Sequence, residues 1–321
     1  MTQPEPIPHW PGELVSLGDH QVYVRVTPDP AEPTGEPALF VHGLEGSSRN
    51  WTDLMDLVGS RLACQALDLP GFGDSPPRPD NRYSIAALAQ TVIKLIQAGN
   101  HGPVHLIGNS LGGAVGVRVA ASRPDLIRTL TLVSPALPDL WPRLDLVRFP
   151  VMALPRVGAR LVRQYAAAWP PERRVAAVIA TCYSNPGLFP QARFAAEVAE
   201  LSRRDSLEYA AAALVGSTRA LTAEFLRRGR HSAWRDAARV KAPTLVIYGQ
   251  HDRLVDPRAA GRAAHTFSDA RIVVLPRTGH VAQMECPAQV AAEMGILLGI
   301  PGSFRRLTQA RAGEASNPLV R

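Results

Sequence analysis

Residues 104–117 read VHLIGNSLGGAVGV, an apolar run that leads into a serine flanked by glycines. The run before Gly108 has the composition of a buried strand, and the small apolar residues after Gly113 are spaced as on a helix. A strand, a sharp turn and a helix in this order present a serine at the apex of a strained turn. Ser110 is therefore a candidate nucleophile, and the flanking glycines are expected to let the strand and the helix pass closely.

A serine between glycines also occurs in ordinary flexible turns, so the interpretation depends on the rest of the chain. A serine hydroxyl is a weak nucleophile that needs a base, and the base needs a group that orients it. Two loops that follow apolar strands contain candidates, Asp252 at 250–257 and His280 at 276–280. Catalytic groups of open parallel sheets gather at the carboxyl ends of the strands, so both side chains are expected to meet Ser110.

Three other residues compete for these roles. His251 is a rival base, but it is next to Asp252 in the sequence, and adjacent side chains of a loop seldom face each other. Asp256 is a rival acid, but it directly precedes a proline, which favours a helix cap. Asp139 is a more distant candidate for the acid. We predict that His280 is the base and that Asp252 orients it.

A reaction that passes through a tetrahedral intermediate needs N–H donors for the oxyanion. The residue after the nucleophile, Leu111, supplies one backbone N–H. The loop after the apolar strand 38–41 is expected to supply the other, and the backbone N–H of Leu44 is the predicted group. The residues predicted to support this arrangement are His42, Gly43 and Asn109.

Apolar strands and amphipathic helices alternate before residue 135 and again after residue 236, which predicts βαβ crossovers and a mostly parallel sheet. The first two strands alternate apolar and polar residues around a Gly-Asp pair and predict a hairpin. Between the two regions in which strands and helices alternate, residues 136–235 contain no strand-like run, and prolines separate helical segments rich in alanine and arginine. We predict a discontinuous core at 12–135 and 236–300, a helical cap at 136–235, and flexible termini at 1–11 and 301–321.

The composition limits the class of protein. With 321 residues, 46% of them hydrophobic, the chain can form a large core, and no apolar run is long enough for a membrane span. The net charge of +7 comes almost entirely from scattered arginines, which favours solvated helix faces over a nucleic-acid patch. Peripheral contact with a lipid surface stays open. Three widely spaced cysteines and the absence of a signal-like start favour free thiols and a cytoplasmic location, and no metal-ligand spacing occurs.

Together these motifs resemble the α/β-hydrolase superfamily with an inserted helical cap. The segments that carry the resemblance are His42-Gly43, DLPGFGDS at 68–75, GNSLGG at 108–113, GQHD at 249–252 and Gly279-His280. The resemblance implies an α/β-hydrolase fold, with an eight-stranded, mostly parallel sheet flanked by helices and a helical cap inserted after strand 6. It also implies a Ser–His–Asp mechanism that needs no cofactor.

Departures from known subgroups narrow the expected activity. Dehalogenases and epoxide hydrolases of this fold use an aspartate as nucleophile, where this chain has Ser110. The GNSLGG segment around Ser110 is similar to that of the C–C hydrolases of ring-cleavage products. A tryptophan commonly follows the catalytic histidine of those enzymes, however, where this chain has Val281. We therefore predict a carboxylic-ester hydrolase that acts on a small, apolar ester. The alternatives are a C–C bond hydrolase and a non-catalytic ligand-binding protein of the same fold.

Overall fold

The computed structural model describes residues 7–28, 35–138, 153–154, 157–227, 229, 232–302 and 304. Their strands form one eight-stranded sheet in the order β1-β2-β4-β3-β5-β6-β7-β8. The strands are β1 (Gly12–Ser16), β2 (Gln21–Val26), β3 (Glu36–Val41), β4 (Leu62–Leu67), β5 (Val104–Asn109), β6 (Ile127–Val133), β7 (Thr244–Gly249) and β8 (Ala270–Leu275).

Helices connect the strands after β3. The helices before β7 are α1 (Thr52–Val58), α2 (Ile85–Gly99), α3 (Leu111–Ser122), α4 (Val157–Ala168), α5 (Pro171–Cys182), α6 (Gln191–Asp205), α7 (Ala210–Leu226) and α8 (Ala233–Ala237). The helices after β7 are α9 (Ala259–Thr266), α10 (Ala282–Glu285) and α11 (Pro287–Leu297). Among the described residues, none of these helices combines the length and the apolar character that a bilayer crossing requires.

The sheet is mostly parallel, as the sequence predicts. The first two strands form the expected antiparallel hairpin, whose turn is closed by a hydrogen bond from Leu17 N to His20 O at 2.8 Å. β2 also pairs antiparallel with β4, whereas β3 pairs parallel with β4 and β5, and the remaining pairs up to β7–β8 are parallel. Every residue of β5 and of β7 is buried, as expected for parallel strands that are covered by helices on both faces.

Helices α4 to α8 lie between β6 and β7 in the chain, where the sequence predicts a helical cap. The boundaries of that cap, 136–235, stay a prediction, and residues 139–152 lie outside the described part. Of the termini predicted to be flexible, 1–6 and 305–321 also lie outside it. The described residues just before β1 contact the rest of the protein at several points. Arg193 of α6 donates to Ile7 O at 3.3 Å, the ring of His9 is 2.7 Å from Thr52 Oγ1, and Arg25 donates to Trp10 O.

Parallel pairing from β3 to β8 brings the carboxyl ends of these strands to one edge of the sheet. The loops that contain Gly43, Ser110, Asp252 and His280 all start at that edge. The loops after β7 and β8 approach so closely that a Cβ on Gly249 would collide with the carbonyl oxygens of the 278–279 segment. The topology therefore brings together the segments that the sequence predicts to carry the site.

Candidate active site

Ser110 is at the junction of β5 and α3 and has backbone angles of φ 53° and ψ −113°. A non-glycine residue with positive φ is strained by about 1–3 kcal/mol and persists only when its surroundings hold it. Three backbone hydrogen bonds do so here: Ser110 N donates to Val133 O at 3.0 Å, while Ser110 O accepts from Ala114 N at 3.1 Å and from Ala136 N at 2.9 Å. The turn is thus fixed by the neighbouring strand and by its own helix.

The predicted glycines have the expected steric reason. A Cβ on Gly108 would overlap the backbone of Gly112 and Gly113, and a Cβ on Gly112 would overlap the carbonyls of Val41 and His42 at the end of β3. Larger residues would therefore force β5 and α3 apart. They would also separate the serine turn from the loop that follows β3.

His280 and Asp252 form a buried pair. The Nδ1 atom of His280 is 2.9 Å from Oδ2 of Asp252, and the two residues are 4% and 1% exposed. The other carboxylate oxygen, Oδ1, accepts from the backbone N–H groups of Leu254 at 2.8 Å and Val255 at 2.9 Å. These bonds orient the carboxylate toward the imidazole. Because a carboxylate only accepts, the Nδ1 atom carries the proton and Nε2 is left to accept one.

Burial by itself would raise the pKa of Asp252. Attraction to His280, hydrogen bonds from His280 and Val255, and the nearby hydroxyl of Ser134 outweigh that effect, so the pKa lies below the ordinary value of 3.8. The carboxylate therefore stays ionised at neutral pH. A buried negative charge at Nδ1 stabilises an imidazolium whenever the ring takes up a second proton.

Asn109 joins three parts of the site and is 4% exposed. Its Nδ2 atom donates to Val133 O at 3.0 Å and to His280 O at 3.2 Å. The backbone of the predicted base is thereby bound to the residue that precedes the predicted nucleophile. Gly43 completes the arrangement from the other side, because a Cβ there would be 3.1 Å from Cβ of Ser110.

His42 holds the loop that is predicted to supply Leu44 N–H. The ring is fully buried, with Nδ1 2.7 Å from Gly43 O and Nε2 accepting from Leu69 N at 2.9 Å. Burial, together with the positive charge of Arg204, lowers the pKa of His42 to about 4, although the hydrogen bond to Gly43 acts in the opposite direction. The ring is therefore neutral at physiological pH, and it links the loops after β3 and β4.

The second predicted donor, Leu111 N–H, belongs to the first residue of α3. The N–H groups in the first turn of a helix have no intrahelical acceptor and lie at the positive end of the helix dipole. Leu111 itself is completely buried, and Leu44 packs against the same core cluster. Both side chains thus point to apolar surroundings, and the polar group that each residue can offer is its backbone.

Neither of the two rival residues that the structure describes takes part in this pair. Asp256 is bound by Arg258, whose backbone N is 2.9 Å from Oδ1 and whose Nε is 2.9 Å from Oδ2, at the start of α9. His251 is exposed. Asp139 lies outside the described residues. Of the candidates that the structure describes, it therefore brings Asp252 and His280 into the pair expected from the sequence.

Sequence reasoning missed two residues around this pair. Ser134, directly after β6, is buried with φ 43°, and its hydroxyl group helps to lower the pKa of Asp252. Glu285 of α10 accepts from Gly279 N at 2.7 Å, directly before His280. A positive φ is not legible in a serine, and a glutamate on a short helix resembles any surface acid.

A model of the alpha/beta hydrolase fold family matches residues 37–287. The chain therefore belongs to the α/β-hydrolase fold family, and the prediction of a hydrolase of this superfamily is confirmed. The family match covers all the strands from β4 to β8 and each predicted site residue.

Individual relatives are distant. Lipase 3 of Moraxella sp. (strain TA144) is 26% identical over 287 residues, which are 86% of this chain and 80% of the lipase. The dihydrolipoyllysine-residue acetyltransferase component of the acetoin cleaving system of Pseudomonas putida is 26% identical over 81% of this chain, and the match spans only 62% of that longer protein. The crystal structure described as a putative lipase from Acinetobacter baumannii AYE superposes with a TM-score of 0.72 at 21% identity, covering 90% of this chain and 91% of that one. The structural likeness concerns the fold.

Proposed function

We propose that this protein is a carboxylic-ester hydrolase that uses Ser110 as nucleophile, His280 as general base and Asp252 as the group that orients the base. The observation that carries the proposal is the buried pair of His280 Nδ1 and Asp252 Oδ2, 2.9 Å apart. This pair is tied through Asn109 to the turn of Ser110. A structural ion pair would not require a strained serine at the carboxyl end of β5, on the same side of the sheet.

In the proposed reaction, Ser110 Oγ attacks the ester carbonyl while Nε2 of His280 accepts the hydroxyl proton. Asp252 holds the imidazole in the required tautomer and stabilises its charged form. The backbone N–H groups of Leu44 and Leu111 are proposed to bind the tetrahedral oxyanion. His280 then donates the proton to the leaving alcohol, and an acyl group stays on Ser110. A water molecule, activated by the same base, releases the acid.

An apolar substrate is supported by the surroundings of His280. The next residue, Val281, is 9% exposed. It packs in an apolar cluster with Val175 and Ile179 of α5 and with Tyr183, which directly follows that helix. An acyl or aryl group that replaces water in such surroundings gains about 25 cal/mol for each Å² of apolar surface removed from water. We therefore propose simple esters with an apolar acyl or aryl group as the substrate class.

The test is active-site labelling together with turnover. A fluorophosphonate probe should modify Ser110 in the wild-type protein, and p-nitrophenyl esters of increasing acyl length should be hydrolysed. Ser110→Ala should abolish labelling and reduce kcat by about 10³-fold or more, because the nucleophile is removed. Ser122→Ala is the matched control: this serine is at the end of the same helix and donates to Arg118 O. It should behave as the wild type.

Two results would contradict the proposal. Absence of both labelling and ester turnover in the folded wild-type protein would favour a non-catalytic binding protein of this fold. Rapid cleavage of a dienoate diketone, with ester hydrolysis near background, would favour the C–C hydrolase.

A further inference from the structure

The chain between α5 and α6 lies directly on the loop of His280. Cys182 O, at the end of α5, accepts a hydrogen bond from His280 N at 2.7 Å. Gly279 has no room for a side chain, because a Cβ there would collide with Cys182 O and would be 2.7 Å from Ser184 N. The predicted base is thus held from the side of the inserted helices as well as from the sheet.

Glu285 joins the two segments. Its Oε2 atom accepts from Gly279 N at 2.7 Å, and its Oε1 atom accepts from Ser184 N at 3.0 Å and from Asn185 N at 3.3 Å. Ser184 Oγ also lies within hydrogen-bond distance of Glu285 Oε1 and is 2.5 Å from Arg277 O. One carboxylate therefore binds backbone N–H groups on both sides of the contact. Hydrogen bonds to an ionised acceptor are about twice as strong as neutral ones.

The loop that is held in this way is not in a relaxed conformation. Arg277, three residues before His280, has a φ of 51°, which is unfavourable for a residue with a side chain. Such a conformation persists when external contacts fix it. Two contacts fix the backbone here: Ser184 Oγ donates to the carbonyl oxygen of Arg277, and Glu285 accepts from the N–H of Gly279, two residues further along.

We propose that Glu285 is a positioning residue, which locks the His280 loop against the segment after α5 and so holds the imidazole in line between Asp252 and Ser110. This proposal rests on the proposed function of His280 as the base. Glu285 acts through the backbone of Gly279 and not on the reacting atoms. Its loss should slow the chemical step while substrate binding stays nearly unchanged, because misplacement of a catalytic group by about 1 Å costs up to 10²-fold.

The experiment compares Glu285→Gln, Glu285→Ala and Ser184→Ala with the wild type. The matched control is Glu293→Gln. Glu293 pairs with Arg271 near the amino end of β8, whereas His280 follows the carboxyl end of the same strand. A small fluorophosphonate measures the rate constant of Ser110 modification, and its stoichiometry gives the fraction of competent sites. Initial rates with p-nitrophenyl acetate give kcat and KM.

For Glu285→Ala we expect full labelling stoichiometry, a labelling rate constant and kcat that are both about 10- to 100-fold lower, and KM within about threefold of the wild type. Glu285→Gln keeps one acceptor oxygen and should lose less. The double variant with Ser184→Ala should be no slower than Glu285→Ala, because both residues belong to one linkage.

A merely structural role would give a different result, in which the competent fraction falls while the rate constant of the remaining sites is unchanged. That result, or rates for Glu285→Gln and Ser184→Ala that match Glu293→Gln, would overturn the positioning role. If Glu285→Ala does not fold, Glu285→Gln and Ser184→Ala provide the same comparison. Failure of the proposed function is distinct, because the wild type itself would then not be labelled.

Discussion

Helix α2, which flanks the sheet, and helix α6, which is inserted after β6, bury different kinds of residues. Helix α2 buries eight residues, none of them charged, along one face against the sheet. Helix α6, of the same length, buries two residues, Arg193 and Glu200, and both are charged. Apolar burial is strong and non-directional, whereas charged contacts depend on geometry and on salt.

The charged contacts of α6 form a seam with the core. Arg193 binds Asp53 through two hydrogen bonds of 2.7 Å. Arg203 donates to Gly73 O at 2.9 Å, and Arg204 donates to Glu45 O at 3.1 Å. These partners lie on α1 and on the loops after β3 and β4, next to the candidate site. The attachment of α6 therefore depends on charged contacts that salt or a single substitution weakens, whereas the attachment of α2 depends on apolar burial.

The largest effect is expected for Asp252, the buried carboxylate that is proposed to orient the catalytic base. Asp252→Asn keeps the shape of the side chain but favours the wrong tautomer of His280, and kcat should fall by up to about 10⁴-fold. Asp256→Asn is the matched control on the same loop, because Asp256 is also buried but binds Arg258. Steady-state kinetics checks both variants. A severe loss in Asp256→Asn together with a mild one in Asp252→Asn would mean that the acid is misassigned.

The second effect concerns the apolar attachment. Leu88→Ala on α2 removes a side chain that is completely buried, so the free energy of unfolding should fall by about 3 kcal/mol. Val178→Ala on α5 is the control, since Val178 is 49% exposed and its loss should change stability by less than about 0.5 kcal/mol. Denaturant unfolding measures both. Equal losses would mean that the apolar burial of α2 does not contribute to stability.

The third effect uses acid. Because the pKa of His42 is about 4 in the folded chain and the ordinary value is 6.5, the unfolded chain binds a proton between these values that the folded chain does not. Stability should therefore be unaffected by this group above pH 6.5 and should fall by up to about 3 kcal/mol as the pH is lowered to 4. Burial lowers the pKa of His9 to about 3, which adds to the same trend.

His42→Gln tests this assignment. It should reduce the dependence of the unfolding free energy on pH by up to about 1.4 kcal/mol per pH unit between pH 6 and 5, as expected when one proton is no longer taken up. A slope in His42→Gln equal to that of the wild type would contradict the prediction.

The smallest effect concerns the charged seam. Arg193→Gln should reduce the free energy of unfolding by about 1–2 kcal/mol, because Asp53 then loses the two charge-assisted hydrogen bonds from Arg193. Protease cleavage of the inserted helices should rise at the same time, and 1 M NaCl should bring the wild type closer to the variant. Arg123→Gln is the control, because the Arg123–Asp125 pair has similar geometry but is exposed. Cleavage that is independent of both salt and Arg193 would refute the charged attachment.

The sequence predicted the sheet because its signals are local. The apolar run 244–249 is long enough for one buried strand. The glycines at 108 and 112 are required because the backbones of β5, α3 and the end of β3 approach too closely for any side chain. The positions of Asp252 and His280 at strand ends followed from the same alternation. Each of these predictions needed only neighbours within a few residues.

The polar contacts between distant segments could not be predicted in this way. Ser184 and Glu285 are 101 residues apart, and Asn109 and His280 are 171 apart. No periodicity relates such positions, and their residue types are common on surfaces. The arginines show the same limit: the interpretation of solvated helix faces is wrong for Arg193, which is 7% exposed. A charged residue on an amphipathic helix indicates water as readily as a buried partner.

The strand order also has a consequence for synthesis. Strands β1 to β6 fill six adjacent places in the sheet, and all their residues precede the inserted helices in the chain. A ribosome releases the N-terminal part first, so this block can assemble and present the serine turn while β7 and β8 are still being made. The proposed acid and base arrive afterwards, on the two strands that complete the sheet at one edge. Until residue 280 has emerged, the nascent chain carries the proposed nucleophile without the proposed base, so we expect newly made protein to be inactive until the segment after β8 has been added.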